Sequence, residues 1–169
     1  MREHFRAVNL GRVVSFPAFA RQQPDMAAQA KALLYQHGVG LAFLATVRPD
    51  GKPRLHPMCP LIADDGLFAF IIPSPKQRDL ERRGAYALHS FPCPTNEDAF
   101  YVTGHATLEP DARRRETLAQ QFVAEREAIG VEPPSSDDAL FRFDLETCLL
   151  TRTTGHGDPA PVHEVWRAP

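Results

Sequence analysis

Cysteine is scarce in this chain. There are three in 169 residues, Cys59, Cys93 and Cys148, and no Cys-x-x-Cys pair. An odd, widely spaced set argues against a disulfide framework and against a cysteine zinc centre, leaving reduced thiols. Long apolar runs are missing too: no stretch reaches the roughly 18 residues that a membrane-spanning helix needs. The opening "MREHFRAVNLGRVVSF" carries charge where a leader peptide would carry a continuous apolar core. Neither charge sign dominates, with 19 basic against 21 acidic residues, so nothing marks the whole chain as a nucleic-acid binder. There is no internal repeat, no low-complexity segment, and no carboxylate pair or nucleophile–base motif. These absences predict a cytoplasmic protein with no membrane and no nucleic-acid partner. Its length is that of one domain spanning 1–169.

Proline is abundant by contrast, with 16 residues placed mostly between predicted elements. Residues 1–23 read as an N-terminal arm, in which "RVVSFPAFA" is a short strand ending at Pro17 or a segment lying on a partner. "PDMAAQAKALLYQHG" predicts a helix with Asp25 as its cap, Gly38 closing it, and Ala30, Leu33, Leu34 and His37 near one face. β-type segments follow. "LAFLATV" (41–47) is apolar almost throughout, which predicts burial on both sides. "KPRLHPMCPLI" (52–62) follows a Pro-Asp-Gly turn and "LFAFII" (67–72) follows "ADDG", both hairpin signals. "YALHSF" and "AFYVTGHATLE" come next, then a helix over about 111–129 and a half-buried strand over 139–153, with Phe141, Phe143 and Leu145 alternating against Arg142, Asp144 and Glu146. Residues 154–169 read as a tail. The balance is α+β and β-rich, with strand and turn spacing that suggests a barrel or sandwich.

The most informative segment is "IIPSPKQRDLERRG". Ser74 is a helix N-cap candidate, Pro75 stands at the first helical position, and Gly84 closes the far end. Lys76 then falls in the first turn, where unpaired backbone N–H groups already present partial positive charge. A lysine opposes the helix there unless an anion binds, and phosphate is the anion most often held so. The 52–62 segment sends Arg54 and His56 to one face. If it pairs with 67–72 around "ADDG", both cations lie near Ser74 and Lys76. Pro53 and Pro57 cannot donate to a ladder, so this segment is an edge strand or one whose outward groups meet a ligand. Gly104 within "YVTGHA" marks a bulge or a close approach of another backbone. His156 and His163, seven apart in the tail, are a conceivable metal or haem pair.

Taken in order, "FLATVRPDGKPRLHPM", "ADDGLFAF", "SPKQRDLERRGAYALHS" and "NEDAFYVTGHA" resemble the pyridoxamine 5'-phosphate oxidase-like family of flavin-binding split β-barrels, over roughly 38–110. The resemblance implies a six-stranded antiparallel split barrel with flanking helices, assembled as a homodimer with the cofactor at the interface. It implies FMN as cofactor, with a deazaflavin coenzyme, FAD or haem in some relatives. The phosphate would lie against the strand at His56, Pro57, Met58 and Cys59 and against Ser74 and Lys76; the flavin ring would lie near Met58, Cys59, Phe70 and Ile71. The implied activity is an FMN-dependent oxidoreductase acting on a small molecule, or a deazaflavin-dependent reductase; a flavin or haem carrier without turnover is the alternative from another class. The chain departs from the family at His56, where an arginine is usual, and at Ala99, where a polar or acidic contact is usual. Trp166 and Arg167 lack the spacing of the vitamin B6 enzymes' substrate motif.

Overall fold

Two segments that nearly touch in sequence, Pro53–Met58 and Leu61–Ala63, lie at opposite ends of one sheet. Cys59 and Pro60 alone connect them, so the sheet has to curl until its ends meet. The computed structural model describes residues 11–169. Its strands are β1 (Ala42–Val47), β2 (Pro53–Met58), β3 (Leu61–Ala63), β4 (Gly66–Ile71), β5 (Ala85–Ser90), β6 (Ala99–Leu108), β7 (Ala139–Arg152) and β8 (Val162–Arg167). All pairings are antiparallel, in the order β2-β1-β5-β6-β7-β4-β3, and β8 pairs with the second half of β7. The α+β split-barrel expectation holds, with eight strands where six were expected.

Several expectations about segments need correction. The single strand expected over 52–62 is two strands broken at Pro60, and only the second, β3, pairs across "ADDG" with β4. Within the tail, "VHEVWR" alternates and builds β8, burying Trp166.

The helices are α1 (Phe16–Gln22), α2 (Pro24–Leu34), α3 (Pro75–Arg83) and α4 (Ala112–Ala124), with a short 3-10 turn at Glu127–Ile129. The strand or arm expected around Pro17 is helix α1; residues 1–10 of that expected arm lie outside the described residues. Ser15 caps α1 and Pro17 stands in its first turn, where proline's missing N–H costs nothing. The cap of α2 is the backbone of Gln23 instead of Asp25, and His37 is exposed beyond its end. Phe16 and Phe19 bury themselves against the concave face of the sheet, where the Phe19 ring lies 4.9 Å from that of Trp166.

Gly104 is required where it stands. The β6–β7 register shifts between Thr103 and Gly104, and a Cβ at 104 would meet the Asp144 carbonyl oxygen at 1.9 Å. The prolines of β2 have a similar geometric explanation. The Arg48 N–H to Lys52 carbonyl bond places Arg54 and His56 in hydrogen-bonded pairs with β1. Pro53 and Pro57 then fall in the alternate pairs, where an N–H would point off the free edge of the sheet.

β1 is buried on one face only. Its second face belongs to a surface that no helix of the described residues covers. Directly opposed residues there run Pro57, Phe43, His89, Tyr101, Leu149, Val165 across six strands. At the strand spacing of about 4.8 Å this row is roughly 24 Å long. Val165 is 51% exposed and Leu55, in the adjacent row, 63%.

Candidate functional site

Helix α3 forms as its sequence predicts. The Ser74 Oγ accepts from the Gln77 N–H at 3.4 Å and donates to the Ile72 carbonyl at 2.8 Å. Gly84 closes the helix at φ 65°, and Arg82 and Arg83 occupy the last turn, where cations suit the helix dipole. The first turn has no acidic residue. Lys76 therefore adds its charge to an end that is already positive, and burial pulls its pKa below the usual lysine range. No carboxylate among the described residues forms an ion pair with it.

His56 lies beside this lysine. Its Nε2 is buried and has no hydrogen-bond partner among the described residues. Burial, then the charges of Lys76 and Arg54, hold its pKa below the ordinary histidine value, and Asp79 only partly offsets them. The imidazole is thus a neutral ring with an unsatisfied nitrogen, next to a cation that lacks a counter-ion. A buried polar atom of this kind costs free energy unless something binds it.

Arg54 is turned elsewhere. Its Nε donates to Asp79 Oδ2 at 2.8 Å, and Thr46 Oγ1 donates to the same oxygen at 3.0 Å. Asp79 is 3% exposed, and Arg82 Nη1 lies 3.8 Å from its other oxygen. Burial opposes the charge on Asp79, but the bonds from Arg54 and Thr46 and the two guanidinium charges outweigh it and lower its pKa. The sequence reading missed Asp79. Its signal was an acidic residue beside Leu80 on the apolar side of α3, together with the Thr46–Arg54 pairing in the hairpin.

The seam between the ends of the sheet holds a cleft of about 260 Å³. Pro57, Met58 and Cys59 line it from the β2–β3 link, and Phe70, Ile72 and Lys76 from β4 and the start of α3. Phe122 of α4 and Val131 to Pro134 complete it with Asp138. Five of the nine expected site residues therefore meet in one cavity: Pro57, Met58, Cys59, Phe70 and Lys76. His56 adjoins through Lys76, Ser74 caps the helix beneath it, Arg54 supports from behind through Asp79, and the Ile71 side chain is in the core at 1% exposure. The route differs from the expected one, since β2 reaches α3 across the seam and not by pairing with β4.

Other candidates do not assemble. The Nδ1 of His163 is 3.0 Å from Thr151 Oγ1, and His156 Nε2 lies 3.4 Å from the Pro94 carbonyl. No group of three His, Cys, Asp or Glu suited to a metal occurs among the described residues. The three cysteines are free. A larger cleft of about 650 Å³ beside α4 is lined by opposed charges, with Arg114 paired to Asp65. No helix of the described residues is long and apolar enough to cross a membrane.

No protein-family model matches the chain, and no curated protein matches it. Solved structures do. General stress protein 26 from Bacillus anthracis str. Sterne is 19% identical with a TM-score of 0.58, over 83% of this chain and 97% of that one. A protein related to general stress protein 26, of the pyridoxinephosphate oxidase family, from Clostridium acetobutylicum is 14% identical with a TM-score of 0.57, over 89% and 95%. A haem-binding protein from Mycobacterium smegmatis is 12% identical with a TM-score of 0.62, over 83% of this chain and 57% of that one. The fold is the pyridoxamine 5'-phosphate oxidase-like split barrel.

Proposed function

We propose that the chain binds FMN at the seam and serves as a flavin-dependent oxidoreductase for a small molecule in the cytoplasm. The observation that carries this reading is the cation at the start of α3. Lys76 lacks a counter-ion, sits beside the unsatisfied Nε2 of His56, and opens onto an apolar cleft. A phosphate would accept from Lys76, from protonated His56 and from the helix N-terminus, and would relieve all three. Pro57, Met58, Cys59 and Phe70 offer main chain and apolar surface for a planar ring. When bound, FMN supplies hydride and electron transfer. The protein's own work is to hold the phosphate, exclude water from the ring and offer the Cys59 backbone N–H, the one donor of the 56–60 stretch that is neither a proline nor paired with β1, to developing charge. Asp79 keeps Arg54 close to His56 without letting it compete for Lys76's ligand.

The uncovered sheet face supports a homodimer. β1 is apolar on both faces yet buries one, and the opposed row from Pro57 to Val165 contains no charged carboxylate, lysine or arginine. A second copy seated there would cover it and wall in a ring that one chain leaves exposed. Light scattering at micromolar concentration tests this. A dimer is expected, and Leu149→Arg should give a monomer.

The deciding experiment is an absorbance and fluorescence spectrum of the purified protein before and after FMN is added. Flavin bands or quenching of added FMN are expected. A protein that ignores FMN but takes up a deazaflavin coenzyme or FAD would keep the site and change the cofactor. A second reading, haem binding, is favoured by the neutral His56 Nε2, a suitable axial ligand, and by the likeness to the haem-binding protein. A Soret band that His56→Ala abolishes would replace the flavin reading.

A further inference from the structure

We propose that Arg115 is a positioning residue that clamps residues 131–138 against the seam cleft, making that segment the gate through which a ring enters. The inference rests on the cofactor site proposed above. The segment runs between two fixed points, Gly130 at φ 62° and Leu140, which pairs with Phe70 of β4. Pro133 and Pro134 stiffen it between them, so it moves as a short lever more readily than it crumples. Val131, Glu132, Pro133 and Pro134 line the cleft opposite the β2–β3 link.

Little holds this lever down. Val131 to Pro133 are exposed, and the side chains of Ser135 and Asp138 bond only within their own turn. Among the described residues, the one side chain that hydrogen-bonds this segment to the rest of the fold is Arg115 of α4. Its Nη1 donates to the Asp138 carbonyl at 2.7 Å and its Nη2 to the Ser135 carbonyl at 2.6 Å. The same guanidinium lies 5.2 Å from the centre of the Phe70 ring, which itself lines the cleft. One planar group therefore joins the gate to the wall it closes against, and its two-pronged geometry is one that lysine cannot reproduce.

A gate and a plain structural brace differ in kinetics. Releasing a gate speeds both association and dissociation, whereas losing a brace weakens binding and lowers Tm with no faster entry. Stopped-flow fluorescence of FMN with wild type, Arg115→Ala and Arg115→Lys, together with amide exchange over 131–139, separates them. Expected are at least tenfold faster exchange at 131–139 in Arg115→Ala, and FMN association and dissociation each at least fivefold faster. Arg115→Lys should lie near Arg115→Ala. Unchanged exchange would overturn the clamp. Faster exchange with unchanged association would overturn the gate. If wild type binds no FMN, the cofactor reading falls, and the exchange comparison still decides whether Arg115 is the clamp.

Discussion

Replacing Lys76 with alanine tests the phosphate site at its most exposed assumption. The lysine is partly buried, without an acidic partner, in the first turn of α3. A hydrogen bond to a charged group is worth about 1.5–3 kcal/mol, which converts to roughly a ten- to hundredfold rise in the Kd for FMN. Riboflavin, which lacks the phosphate, is the internal control. Its affinity should be the same in wild type and Lys76→Ala. The unliganded protein should lose no stability, because a cation in a helix's first turn opposes the dipole by about 0.3–1 kcal/mol. Quenching of flavin fluorescence measures both ligands, and urea unfolding measures stability. Equal FMN affinity in the two proteins would refute the reasoning, as would an equal loss for FMN and riboflavin. The first result removes Lys76 from the site, and the second makes its role general to the cleft.

Three further outcomes follow from the same geometry. Asp79→Asn should destabilise by about 2–3 kcal/mol in urea, somewhat below the usual 3–5 for breaking a buried pair, because Arg54 is a quarter exposed. The folded-state pKa of Asp79 is depressed, so its stabilisation is full above the ordinary carboxylate range and is lost as pH falls through the folded value; wild type should therefore lose stability in acid more steeply than Asp79→Asn. Gly104→Ala should cost about 2–3 kcal/mol, a magnitude typical of forced overpacking, because its Cβ would overlap the Asp144 carbonyl; a melting temperature equal to wild type would contradict the bulge argument. The depressed pKa of His56 leaves it neutral in the free protein, and a bound phosphate favours its protonated form. The preference for FMN over riboflavin should therefore decrease as pH rises from below the ordinary histidine value, and His56→Gln should flatten that dependence in isothermal titration.

The parts of the site that local rules govern were legible in the sequence. Ser74, Pro75 and Gly84 bracket α3 through capping chemistry that needs no tertiary contact. The Pro-Asp-Gly turn sets the β1–β2 register, with Gly51 at φ 81°. What escaped notice depends on contacts across the seam. "KPRLHPMCPLI" looks continuous because nothing local to Cys59 and Pro60 says that the sheet's two ends must meet there. Asp79 looks like any helix carboxylate until Thr46 and Arg54 are seen to converge on it. The helix around Pro17 went unseen for a different reason, since a proline two residues after a serine ends a strand or starts a helix, and only the burial of Phe16 and Phe19 decides. The expectation that β1 is buried on both sides fails for the single chain, and it is the uncovered side that supports a dimer.

The two-residue link between β2 and β3 also bears on the order in which the molecule assembles. The β1–β2 hairpin and the β5–β6 pair are local in sequence, whereas β7 must come back from beyond α4 to meet β4. Contacts this distant along the chain form late, since the loop entropy is lost before they contribute. The cleft exists only once that last joint closes, because its walls come from both sides of it. Ligand uptake during refolding should therefore lag behind the appearance of strand signal, so the bound cofactor would report the completed barrel and not any earlier intermediate.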